Sequence, residues 1–138
     1  MLPPFHLAIP VDDLAAARAF YGGLLGCAEG RSADTWIDFN FYGHQFVTHL
    51  GTVIGNTVDK NAVDHDTVPS FHFGVILPPE AWQALADKLL SAKVDFIIPP
   101  KTRFKGKVGE QSTMFFKDPA GNAIEIKSFA DMDQIFAK

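Results

Sequence analysis

One short pattern occurs twice in this chain and limits what it can fold into. Phe5-His6-Leu7-Ala8-Ile9-Pro10-Val11 and Phe71-His72-Phe73-Gly74-Val75-Ile76-Leu77 share a plan of Phe, His, apolar, small and β-branched residues. Each copy leads into a helix start, marked by Asp12 and Asp13 in the first and by Pro78 and Pro79 in the second. The chain reads as one module written twice, with a histidine near the start of each copy. Strand side chains alternate, so Phe5, Leu7, Ile9 and Val11 share one face while His6 and Ala8 share the other.

After the first strand, Leu14, Ala17, Phe20, Tyr21, Leu24 and Leu25 recur at three and four residues. They predict a helix that ends at Gly26 and is weakened in its last turn by Gly22 and Gly23. A short strand around Ala28 to Ser32 follows. Thr35 to Tyr42 is a firmer strand with Asp38 and Asn40 on one face and aromatic or β-branched residues on the other. Gly43 and His44 turn the chain back through Gln45 to Leu50. Residues 52–69 are polar and pattern-poor, which predicts a linker or flap.

The second module repeats the order. Ser70 to Leu77 is its first strand. Ala81, Trp82, Leu85, Leu89 and Leu90 make a helical stripe, and Val94 to Ile98 a strand. Pro99 to Glu110 reads as a basic loop carrying Lys101, Arg103, Lys105 and Lys107. Ser112 to Lys117 and Ala123 to Ser128 are strands joined by the turn Asp118-Pro119-Ala120-Gly121-Asn122, which carries no chemistry of its own. Ala130 to Ala137 predicts a loose helix. The coarse order is therefore β-α-β-β-β twice, which makes the fold class α+β, in modules of about 1–51 and 70–128 joined by the linker and followed by a tail from 129. Neither copy buries both faces of its sheet alone, so the two are expected to share one domain as a half-open barrel with helices outside.

At 138 residues with 47% hydrophobic and 20% charged side chains, the composition is that of a globular domain. Thirteen Phe imply a well-filled interior. A net charge of −4 gives no support for nucleic-acid binding. No apolar run of about 18 residues predicts a membrane span, and no basic-then-apolar stretch opens the chain. The single cysteine, Cys27, fits a reducing compartment and reads as a small buried apolar residue. A cytoplasmic protein that takes a small-molecule substrate is expected.

Four polar residues interrupt otherwise apolar strands: His6, His49, His72 and Glu125. His6 and His72 hold matching places. His49 and Glu125 match approximately, each on the last strand of its module a few residues past a turn glycine. A carboxylate between Ile124 and Ile126 is costly to bury without a cationic partner. Two imidazoles and one carboxylate suit a divalent metal, and with open positions they form the ligand set of non-haem Fe(II) enzymes. The same set serves Zn, Mn or Ni. His49 has four readings: a fourth ligand, an orienting group, a catalytic acid or base, or a structural residue. His44 and His65 read as solvent-facing. Arg103 and Lys105 belong to a solvated loop or to a rim that attracts an anionic substrate.

The stretches FHLAIPVDDLAAARAFYGGLLG, FHFGVILP and FFKDPAGNAIEIKSF resemble the vicinal oxygen chelate superfamily of glyoxalases, bleomycin resistance proteins and extradiol dioxygenases. GRSADTWIDFNFYGHQFVTHL and RFKGKVGEQSTMFFKDPAGNAIEIK look most like a small bacterial group of predicted extradiol-type dioxygenases. The resemblance implies paired βαββ modules, metal ligands at His6, His72 and Glu125, and a homodimer in many members. It also implies a fourth-strand position that is Glu in glyoxalase I and falls here near His49, which counts against that activity. The function so implied is cleavage of a catecholic or related aromatic substrate with O2 on Fe(II), with His49 moving a proton. The alternatives are a glyoxalase-like lyase or isomerase acting through an enediolate, and a non-catalytic small-molecule binder.

Overall fold

The computed structural model describes residues 1–53, 59–63 and 66–138. The chain divides into two compact units, Met1–Thr57 with Asp118–Asn122, and Val58–Lys117 with Ala123–Lys138. Both combine strands with few helices, so the class is α+β as expected. His65 lies outside the described residues. No helix among the described residues is long and apolar enough to cross a membrane.

The first unit contains β1 (His6–Val11), α1 (Leu14–Ala17), β2 (Ala28–Ala33), β3 (Trp36–Phe41) and β4 (His44–Leu50). The sheet order is β1-β4-β3-β2, with β1 parallel to β4 and the other pairs antiparallel. Asp13 caps α1 by accepting the Ala16 N–H at 3.0 Å. The expected single helix changes character after Ala17, because Arg18–Leu24 is π-helical. There the Leu25 N–H reaches back to the Phe20 carbonyl at 2.9 Å, five residues away. Phe20 and Leu25 are both buried, as are Ala17 and Tyr21. Ile9, Val11, Ile37, Phe39, Phe41, Phe46 and Thr48 complete that core. The alternate positions carry His6, Asp38, Asn40, Gln45 and His49, as parity requires.

The 118–122 turn is a structural knot of this unit. Tyr21 Oη donates to Asp118 Oδ2 at 2.7 Å, and Asn122 Nδ2 donates to the same oxygen and to the Pro10 carbonyl, each at 2.9 Å. Burial pushes the Tyr21 phenol well above its ordinary pKa, and the neighbouring Asp118 adds to that.

The second unit contains β5 (Lys60–Val63), β6 (Asp66–Pro69), α2 (Pro79–Ser91), β7 (Phe96–Arg103), β8 (Gln111–Lys117) and β9 (Ala123–Phe129). β7, β8 and β9 form an antiparallel sheet. α2 buries Trp82, Leu85, Ala86 and Leu89, and Trp82 Nε1 donates to the Ile126 carbonyl at 2.9 Å.

Four expectations change here. The 52–69 stretch, expected as a polar, pattern-poor linker or flap, holds regular structure, since 60–63 and 66–69 pair antiparallel as β5 and β6. The basic stretch is not all loop, because β7 runs on through Lys101 to Arg103, with irregular register that absorbs Pro99 and Pro100. The segment from Ser70 to Leu77 is not a regular strand. It runs parallel to β9 with isolated bridges at Phe73–Ile124 and Ile76–Lys127, and between them Gly74 lies against the Glu125 carbonyl with no room for a Cβ. The tail forms only a short 3-10 turn, Met132–Gln134.

Candidate functional site

β9 is apolar on its α2 face, where Ile124 and Ile126 are fully buried, so Glu125 projects from the opposite face. The Glu125 N–H donates to the Phe73 carbonyl at 2.8 Å, which draws the residue before Phe73 alongside. His72 Nε2 stands 3.4 Å from Glu125 Oε2. The partner that a carboxylate between isoleucines demands is therefore His72.

Each group is oriented by a second contact. His72 Nδ1 lies 2.8 Å from the Pro69 carbonyl at the end of β6. A carbonyl only accepts, so Nδ1 carries the proton and Nε2 is left facing the carboxylate. Thr113, buried on β8, donates its hydroxyl to Glu125 Oε1 at 2.7 Å and leaves Oε2 facing the imidazole. The His72 ring packs edge-on against Phe115, with centroids 4.8 Å apart.

The electrostatics follow from these contacts. The bond with Glu125 raises the His72 pKa, against burial, with help from the Pro69 carbonyl. Burial pushes the Glu125 carboxyl up, but bonding to His72 and Thr113 and the charges of Lys127 and His72 outweigh it, so the net shift is downward.

This donor set fits a divalent metal. One imidazole nitrogen and one carboxylate oxygen face each other, each fixed by a neighbour in the manner of oriented metal ligands. Their 3.4 Å separation suits adjacent donors on an ion bound at about 2.1 Å. Among the described residues, neither unit gathers three His, Cys, Asp or Glu side chains into one group. His6 belongs to the first unit, on β1, where its Nδ1 bonds Gln45 Oε1 at 2.9 Å. The acceptor is again an oxygen, so His6 presents Nε2 in the same tautomer as His72.

His49 is exposed on β4, opposite Trp36 and Pro10. The place in module one that matches Glu125 is Val47. Gly43 and Gly121 share a φ of +92°, and Val47 and Glu125 each lie four residues beyond. Register agrees, because Ala8 pairs with Val47 as Gly74 lies across from Glu125. The approximate match of His49 to Glu125 is thus off by one pleat on the same face. His44 opens β4 half-buried, and its Nδ1 accepts the Phe5 N–H at 2.8 Å.

A cavity of about 260 Å³ opens on the His72–Glu125 pair, lined by Val63, Val68, Arg103, Gln111, Phe115 and Lys127. Arg103 is largely covered and donates to Asp66 Oδ2 at 2.9 Å, an oxygen that Lys101 also contacts. Lys105 is exposed in the turn after β7. Of the two expected rim residues, Arg103 thus lines the cavity. Sequence reasoning passed over Lys127 and Thr113. Lys127 shares Glu125's strand parity, the signal that pointed to it; Thr113 needed the β8–β9 register, which places it opposite Lys127.

Two modules, each with a histidine at the start of a segment in parallel pairing, and an oriented His–Glu pair over a cavity define a repeated-module α+β protein suited to chelation chemistry. The chain belongs to the glyoxalase/bleomycin resistance protein/dioxygenase superfamily, whose family model matches residues 4–126. A solved glyoxalase/bleomycin resistance protein/dioxygenase from Alicyclobacillus acidocaldarius is 30% identical over 97% of this chain and 96% of its own, with a TM-score of 0.77. The fosfomycin resistance protein FosX from Listeria monocytogenes shares the fold at 16% identity and a TM-score of 0.69, over 97% of this chain and 98% of its own. Lactoylglutathione lyase from Agrobacterium tumefaciens does so at 17% and 0.67, over 100% and 98%. No curated protein matches the sequence.

Proposed function

We propose that the protein is a divalent-metal enzyme of this superfamily, with Fe(II) favoured, that opens a catecholic or related aromatic ring with O2 in the extradiol manner. The observation that carries this reading is the His72–Glu125 pair, with Nε2 and Oε2 turned toward each other at 3.4 Å and every other donor engaged elsewhere. The family resemblance implies His6 as the third ligand. The metal supplies a chelating centre for two vicinal substrate oxygens and a means of activating O2. Pro69 and Thr113 hold the ligands in place, Phe115 gives an apolar wall, and His49 is the candidate proton carrier. Val47 at the position matching Glu125 supports ring cleavage over a glyoxalase-type lyase, which needs a carboxylate there. A homodimer acting in the cytoplasm completes the proposal.

The test is anaerobic reconstitution with Fe(II), followed by a panel of catechols and air. A ring-cleavage chromophore with O2 uptake is expected, and His72→Ala abolishes both along with bound metal. Catechols recovered unchanged across the panel overturn ring cleavage. Metal retained by His72→Ala overturns the ligand assignment.

A further inference from the structure

The cavity beside His72 and Glu125 carries positive charge in an ordered arrangement. β8 places Phe115 opposite Glu125, Thr113 opposite Lys127, and Gln111 opposite Phe129. β7 continues these rows, with Lys101 opposite Thr113 and Arg103 opposite Gln111. Lys127 therefore stands one pleat from Glu125 on the same face, and Arg103 lies in the row beyond. Two residues along a strand span about 6.8 Å, which is close to the distance across a substituted benzene ring. Both cations line the same cavity as the His–Glu pair. Asp66 holds Arg103 in position from β6, and Lys127 lies over the Phe129 ring at 5.4 Å.

We propose that Lys127, assisted by Arg103, forms a carboxylate-binding subsite of this cavity, so that the substrate is an anionic aromatic acid with its vicinal oxygens at the His72–Glu125 end. This inference rests on the function proposed above and names its substrate class. Phe115 supplies a wall for the ring between the two ends. Lys127 is the specificity-determining residue, because it is the cation nearest the pair in register, and Arg103 closes the far end. A charge-assisted bond to the substrate carboxylate separates acids from neutral catechols.

Fe(II)-loaded protein kept anaerobic, so that nothing turns over, is titrated calorimetrically with catechol and with 3,4-dihydroxybenzoate. The acid is expected to bind about tenfold more tightly or better. Lys127→Gln removes most of that preference, Lys127→Arg retains it, and Arg103→Gln lowers it. A wild-type protein without the preference, or a Lys127→Gln variant that keeps it, overturns the subsite. The metal reading is tested separately by the metal content of His72→Ala. Metal-free protein is also titrated with benzoate: binding that Lys127→Gln weakens supports the subsite even if the metal assignment fails, and binding indifferent to Lys127 counts against it.

Discussion

Gly74 lies so close to Glu125 that a Cβ on the glycine would overlap the Glu125 carbonyl oxygen and sit 2.7 Å from its carbonyl carbon. The small residue of the repeated motif is therefore a steric requirement of the site. It lets the His72 segment lie against β9 at the point where the carboxylate emerges. Gly74→Ala is expected to cost about 3 kcal/mol and to lower the melting temperature by about 10 °C, with loss of bound metal. Gly23→Ala is the control, since nothing lies within 4 Å of its Cβ position and helix propensity favours Ala by about 1 kcal/mol. Thermal denaturation of both variants checks the contrast.

Thr113 acts through Glu125. Thr113→Val keeps the shape and removes the 2.7 Å bond to Oε1, which frees the carboxylate to rotate. Metal affinity is expected to fall by about 10- to 100-fold, as read by competition against a chelator. Thr113→Ser restores the hydroxyl and most of the affinity. Equal affinity in the Val variant and wild type would remove Thr113 from the site.

The stability of the metal-free protein depends on pH through the same pair. His72 is raised above its ordinary value of 6.5 in the folded state, so its contribution is full below that value and is lost as pH rises through the folded pKa. Glu125 is lowered below its ordinary 4.5, so its contribution is full above that value and is lost as pH falls through the folded pKa. Wild type is expected to exceed His72→Gln most between these two ordinary values, with the gap narrowing on either side. Denaturant midpoints measured across pH check this, and a constant gap contradicts it. Bound metal reverses the trend at the alkaline end, because a proton on Nε2 competes with the ion.

Tyr21 tests the first unit independently. Tyr21→Phe removes the 2.7 Å bond to Asp118 and leaves a buried acceptor with fewer donors. A loss of about 1.5 to 3 kcal/mol is expected by chemical denaturation, while Lys127-dependent binding in the second unit persists.

Much of this was legible in the sequence because it rests on alternation. Parity alone separated His6 from Leu7 and Ile9, set Asp38 and Asn40 opposite Phe39, and turned Glu125 away from Ile124 and Ile126. The repeat identified the two histidines, and the isoleucines flanking Glu125 demanded a cationic partner. These are local consequences of a two-residue period, and a chain carries them in plain order.

Pairing register is different, because it depends on which residues stand across from one another in three dimensions. It moved the counterpart of Glu125 from His49 to Val47 and set Thr113 and Lys127 beside the carboxylate. It also drew Lys101 and Arg103 out of an expected loop into β7, where Asp66 from β6 anchors them. The sequence by itself determined the α+β class, the doubled module and the faces of the strands, since a pleat needs only neighbours in the chain. Only the tertiary structure decided how His72 meets Glu125 and which cations share their cavity, because those choices rest on contacts between strands remote in sequence and on the one backbone approach that Gly74 permits.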